Sequence, residues 1–232
     1  MIRVFPDLAA AAQALAARVA AEARASIAAR AGFRLAVSGG ETPVALYRAL
    51  ASAAWRDRID WTRVVLLFAD ERAIPAGAAE RTDRLVRETL LAPLGLPATI
   101  LRPIRAEADD LEAAALEYER ELQEPADLLL LGAGPDGHIA SLFPGGATLD
   151  ERVRRVVAVF DSPKPPPRRI TLTPRAIDEA RVVCVLAAGN GKALAVARAL
   201  GGRAMVADCP AVLVAGRDWY IDRDANAQRV ER

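Results

Sequence analysis

The sequence predicts an α/β fold built on an open, mainly parallel sheet covered by helices on both faces. Three observations predict it. Short, near-continuous apolar runs recur along the chain, helix-period segments lie between them, and 232 residues suffice to bury a substantial core without a metal or disulfide staple. Strands buried on both faces need no polar side, so such runs read as parallel-sheet strands.

Taken in order, the first 33 residues are alanine-rich and read as a helix. Arg18, Glu22, Arg24 and Arg30 interrupt this stretch, so it is neither a signal-peptide core nor a membrane span. "RLAVS" (34–38) reads as a strand. "TPVALYRALASAAW" (42–55) carries helical spacing and opens with Thr42 as cap and Pro43 as first-turn residue. "RVVLLFA" (63–69) is the next strand, "RTDRLVRETLLAPL" (81–94) and "DDLEAAALEYERELQ" (109–123) are helical, and "DLLLLGAG" (127–134) is again a strand. "RRVVAVF" (154–160), "RITLT" (169–173), "VVCVLAA" (182–188) and "AVLVAG" (211–216) are expected to add strands to the same sheet, with "GKALAVARALGG" (191–202) as a helix among them. The Pro-rich "SPKPPPRR" (162–169) is short enough to be a functional loop within one domain.

Composition narrows the function. With 31 basic and 30 acidic residues the formal net charge is +1, which gives no reason to expect nucleic acid or an anionic membrane as partner; the expected ligand is a small molecule. Cys184 and Cys209 lack C-x-x-C spacing and read as reduced thiols of a cytoplasmic protein. A single histidine, His138, leaves no zinc pattern, and no metal is expected. Lys164 and Lys192 are the only lysines among the 31 basic residues, and both fall in glycine- or proline-rich loops.

In open α/β sheets, ligands gather at the carboxyl ends of the strands. Four loops qualify. In "VSGGETP" two glycines, Gly39 and Gly40, let the backbone approach an anion, and Ser38, Thr42 and the helix start supply donors; a phosphate cradle and a plain capped turn both fit. The P-loop lysine is missing. "FADERAIP" brings Asp70, Glu71 and Arg72 to a strand end, as a site or as a solvated ion pair. "GAGPDGHIASLFPGG" satisfies G-x-G-x-x-G, and Asp161 falls where a ribose-binding acid would. Against a dinucleotide, Pro135 removes an N–H from the turn and Pro144-Gly145-Gly146 cuts off the helix that should follow. The turn instead presents Asp136 and His138 together, and a carboxylate beside an imidazole orients it and stabilises its charge. Fourth, Arg169 precedes a strand and Lys192 opens a helix after a Gly-Asn-Gly turn, which suits a phosphate fork and a point charge.

Read together, "SGGETP", "DERAIP", "GAGPDGHIASLFPG", "SPKPPPRRITLT", "GNGKA" and the terminal "WYIDRDA" resemble the 6-phosphogluconolactonase family, in order and across nearly the whole chain. The resemblance implies one Rossmann-like domain over residues 1–232. It further implies a hydrolase of a phosphosugar lactone that works without a redox cofactor, as a monomer or small homo-oligomer. On that basis His138 is expected to activate water, with Asp136 orienting it. Ser38, Gly39, Gly40, Thr42, Arg169 and Lys192 are expected to hold the substrate phosphate, Arg72 or backbone N–H groups to face the oxyanion, and Asp70 to meet sugar hydroxyls. Two positions depart from the family pattern: Glu41 stands where Ser or Thr is commoner, and Arg81-Thr82 where the family usually has Ser-Asn. The chain also resembles the aminosugar-phosphate deaminases, but their histidine run continues to Asn-Glu-Pro, whereas here it reads Leu142-Phe143-Pro144. Loss of that glutamate favours hydrolysis over ring opening and isomerisation. A non-catalytic sugar-phosphate sensor is the other alternative.

Overall fold

The structure, a computed structural model, describes residues 1–229. Nine strands and eight α-helices occur along them. The strands are β1 (Ile2–Phe5), β2 (Phe33–Val37), β3 (Val64–Phe68), β4 (Asp70–Arg72), β5 (Leu128–Gly132), β6 (Val156–Val159), β7 (Arg169–Leu172), β8 (Val182–Ala187) and β9 (Asp218–Asp222). The helices are α1 (Leu8–Arg30), α2 (Glu41–Ala51), α3 (Thr82–Val86), α4 (Ala92–Leu94), α5 (Leu111–Glu119), α6 (Pro174–Glu179), α7 (Ala193–Leu200) and α8 (Arg223–Asn226).

Six strands form one wholly parallel sheet in the order β1-β9-β8-β5-β2-β3, flanked by helices. Most side chains of β2, β3, β5, β8 and β9 are buried, which is why those runs carry little polar alternation. From β2 the chain steps to β3 on one side and then returns to β5 on the other, so the crevice between β2 and β5 is the topological switch point where such sheets bind ligands.

The second sheet corrects the expectation of a single one. β6 and β7, read from sequence as parts of the main sheet, pair antiparallel with each other, and β7 pairs antiparallel with the short β4. β-branched runs report burial and not which sheet they join, so the sequence does not separate these two cases. The run 211–216 is not a strand either. Pro210–Val214 is a 3-10 turn that starts on Pro210, and the strand that pairs with β8 there is "DWYID", β9, which lies between β8 and β1. At the N-terminus, β1 precedes the expected helix and pairs with β9. Asp7 then caps α1 by accepting from the Ala10 N–H at 2.8 Å, and Ala31 closes it in the left-handed conformation.

Thr42 is not the cap of α2. Gly40 holds that position and Glu41 and Thr42 form the first turn, because Gly39 and Gly40 carry the chain round the end of β2 before the helix begins.

Candidate active site

The expected site residues converge on one cavity of about 140 Å³ at the carboxyl ends of β2, β3, β5 and β8. Ser38, Gly39, Gly40, Thr42, Asp70, Arg72, His138, Arg169 and Lys192 line it, and Asp136 stands behind His138.

The loop after β5 explains its own glycines. A Cβ on Gly134 would collide with the His138 ring, while the Gly134 N–H donates to the His138 carbonyl at 2.8 Å and the Gly137 N–H donates to the Gly134 carbonyl at 3.0 Å. Gly137 sits at φ 86°, and a Cβ there would lie 2.6 Å from the Cys209 Sγ. The glycines therefore fold the loop back so that the imidazole lies over Gly134. No α-helix follows β5 directly; the next helical turn is the 3-10 turn Ala147–Asp150, and Asp161 lines a different cavity. The dinucleotide reading fails on both points.

His138 Nδ1 lies 2.5 Å from Asp136 Oδ1. A carboxylate oxygen can only accept there, so Nδ1 carries a proton, and in the neutral ring it is Nε2 that holds the free lone pair. Burial pushes the Asp136 carboxyl up, but His138 and then Lys164 outweigh it and hold the group well below its ordinary range. Phe143 packs against the imidazole with ring centroids 4.8 Å apart and is buried.

Strand periodicity sorts the acidic strand end. Successive side chains of β4 point to opposite faces, so Asp70 and Arg72 reach the cavity while Glu71 points away. Buried Asp70 accepts from Ser141 Oγ at 2.6 Å. Glu71 accepts from the N–H groups of Thr82 and Asp83 at 2.9 and 3.0 Å and so caps α3, with Arg81 3.5 Å away. Glu71 and Arg81 are thus structural, and the Arg81-Thr82 departure lies behind the cavity wall: Thr82 Oγ1 would stand 2.5 Å from a Cβ on Gly39.

Ser38 and Arg169 are tied into the framework more than the sequence suggests. Ser38 Oγ donates to the Leu130 carbonyl at 2.9 Å, pinning β2 to β5 across the switch point, and Tyr47 donates to the Ser38 carbonyl at 2.5 Å. Arg169 donates to the carbonyls of Lys164, Pro165 and Pro166 at 3.1, 3.2 and 3.1 Å, and to Ser141 Oγ at 3.5 Å. Of its five N–H protons one is left for a ligand. Burial pushes its guanidinium down, with Asp70 opposing.

Lys192 is different. Among the described residues no ion pair or side-chain hydrogen bond engages its ammonium, which faces the cavity with Glu41 nearby. Burial and then the neighbouring Lys164 push it down; Asp136 and Glu41 oppose. The Gly189 N–H, bonded to Asp222 at 3.0 Å, holds the loop that carries it. Lys164 was not among the expected site residues, yet its Nζ lies 3.2 Å from Asp136 Oδ2. The retention of just two lysines in an arginine-rich chain was the signal for both. No cluster of metal-ligating side chains occurs among the described residues.

An α/β protein with an imidazole–carboxylate dyad at a sheet switch point, beside an unpaired cation and a glycine-led helix start, has the fold and site of a protein that binds a small anionic ligand next to a titratable base. The model of the family "Glucosamine-6-phosphate isomerases/6-phosphogluconolactonase" matches residues 6–221, and the chain belongs to that family. It is 42% identical over 243 aligned residues to the 6-phosphogluconolactonase of Mycobacterium tuberculosis, covering 98% of this chain and 97% of that one. The solved 6-phosphogluconolactonase from Trypanosoma cruzi superposes with a TM-score of 0.83 at 26% identity, over 97% of this chain and 95% of that one. A monomeric glucosamine-6-phosphate deaminase shares the fold at 23% identity, with a TM-score of 0.83 over 98% of this chain and 99% of that one. Fold alone therefore does not separate hydrolysis from deamination.

Proposed function

We propose that the chain hydrolyses 6-phospho-D-glucono-1,5-lactone to 6-phospho-D-gluconate, the ring-opening step of the oxidative pentose phosphate pathway. The observation that carries this reading is the His138–Asp136 pair at 2.5 Å with Phe143 packed on the imidazole. That position holds an apolar ring where a deaminase needs a carboxylate for its proton relay. One base with a fixed tautomer suits attack by water on a carbonyl.

The substrate phosphate sits between the first turn of α2 and Lys192, using the backbone N–H groups that follow Ser38 and the one free Arg169 proton. Binding this remote group places the lactone carbonyl beside His138. Nε2 takes a proton from water as the water oxygen bonds to C1, and the carbonyl electrons move to oxygen. Arg72 or the backbone N–H groups of the β5 loop stabilise that oxyanion. As the tetrahedral centre collapses, the bond from C1 to the ring oxygen breaks and the imidazolium returns its proton to that oxygen. Asp136 keeps the ring oriented and stabilises its transient charge, while Asp70, held by Ser141, faces the sugar hydroxyls. Residues 1–229 serve this one site as a single functional unit, and two buried free thiols suit a reducing compartment such as the cytoplasm.

The test is a coupled assay on freshly prepared lactone with spontaneous hydrolysis subtracted, run beside glucosamine-6-phosphate. Rapid turnover of the lactone with no release of ammonia from the amino sugar is expected. Ammonia release at a comparable rate would replace this reading with the deaminase.

A further inference from the structure

Lys164 lies in the Pro-rich loop between β6 and β7, the segment that leads into Arg169, 26 residues from His138 in sequence. Its ammonium nevertheless reaches the dyad: Nζ is 3.2 Å from Asp136 Oδ2 and 3.4 Å from His138 Nδ1. The loop is built to hold it there. Ser162 Oγ donates to the Lys164 carbonyl at 2.9 Å and the Lys164 N–H donates back to Ser162 Oγ at 3.2 Å, while Arg169 clamps the three carbonyls that begin at Lys164. Arg169 thus acts through this loop on a residue that touches the dyad.

We propose that Lys164 is a positioning residue for His138, one that occupies the second oxygen of Asp136 and sets the charge felt by the imidazole. The geometry divides the carboxylate. Oδ1 accepts from Nδ1 and Oδ2 faces the ammonium, so Asp136 is unable to rotate its charge fully onto the ring. Since Nδ1 already gives its proton to Asp136, the Lys164 contact at 3.4 Å is electrostatic, and it opposes a second proton on the ring. A carboxylate alone favours the charged ring; a cation at this distance works against that charge.

The other charges facing the imidazole are accounted for. Asp70, Arg72 and Arg169 of β4 and β7 line the same cavity, as do Glu41 and Lys192 at the helix starts, and the Cys209 thiol lies behind Gly137. Only Asp136 and Lys164 make an ion pair or hydrogen bond to the ring among the described residues.

The inference rests on His138 as the base, but its test does not need the reaction. His138 is the only histidine, so its imidazole gives one unambiguous set of proton NMR signals to follow against pH. In Lys164→Met and in the second neutral variant, Lys164→Gln, the midpoint of that titration is expected to rise by about one pH unit, the size of a Coulomb interaction at this separation in a water-like medium. Lys164→Arg, which keeps the charge, is expected to stay near the wild-type midpoint. In the lactone assay the acid limb of kcat/KM is expected to move with the NMR midpoint. An unchanged midpoint in both neutral variants would overturn the inference. So would weaker binding of 6-phosphogluconate with an unchanged midpoint, which would make Lys164 a ligand contact. Lack of lactonase activity in the wild type would refute the reading of the reaction and leave the titration outcome standing by itself.

Discussion

In the proposed mechanism His138 supplies the chemistry of the cavity and Lys192 the anchoring. Lys192 has no protein partner among the described residues, so its charge is available to a ligand at the desolvation cost its half-burial implies. Lys192→Ala is expected to weaken 6-phosphogluconate binding by about tenfold or more, the worth of a charge-assisted hydrogen bond, while the dyad stays intact. Isothermal titration with the product checks this, and unchanged affinity would remove Lys192 from the phosphate site. At this scale much was legible: Asp136 and His138 are two residues apart and Lys192 stands out in an arginine-rich chain. The scarcity of lysine marked Lys164 too, but its contact with Asp136 was hidden, because that approach depends on a loop 26 residues from His138 whose path Arg169 and Ser162 fix in space. The tying of Ser38 to Leu130 was hidden for the same reason, being a contact 92 residues apart.

At the scale of elements, the start of α3 is held by a buried charge cluster. Arg81 and Glu71 are 2% and 1% exposed, and Arg81 also bonds Asp83, Glu107 and the Ile104 carbonyl. Burial pushes the Glu71 carboxyl up, against three N–H donors and Arg81, while Glu71, Asp83 and Glu107 hold the guanidinium charged despite burial. Arg81→Ala leaves that carboxylate buried without its cation and is expected to cost about 3–5 kcal/mol in urea unfolding. A loss under about 1 kcal/mol would show that the N–H donors alone suffice. The helices and main-sheet strands were legible because burial on both faces writes continuous apolar runs. The membership of β6 and β7 in a second sheet was not, since pairing partners leave no trace in local periodicity. "AVLVAG" misled for a related reason: a five-residue apolar run is the same for a buried strand and a buried turn, and only Pro210 at its start hinted at the turn.

For the whole molecule, buried hydroxyls and thiols link stability to the site. Burial pushes the Tyr47 and Tyr118 phenols far above their ordinary range and the Cys184 thiol up to about 12. Groups whose folded-state pKa is raised stabilise the fold below the unfolded value and lose that contribution as pH rises toward the folded one. Melting temperature is therefore expected to hold to about pH 8.5 and fall with increasing slope through pH 10–11; a flat profile to pH 11 would contradict this. The two phenols matter to the site because Tyr47 anchors Ser38 and Tyr118 bonds the backbone of Phe68, two residues before Asp70. The carboxyl ends of β2 and β3, which carry Ser38 and lead to Asp70, thus hang on the same buried core. The central claim is that this crevice presents one imidazole as a base to a lactone. It is tested most directly by the turnover of fresh 6-phosphogluconolactone by His138→Asn, with spontaneous hydrolysis subtracted. The account predicts a fall in kcat of about 10² or more with 6-phosphogluconate affinity largely kept; turnover within a few-fold of wild type would contradict it.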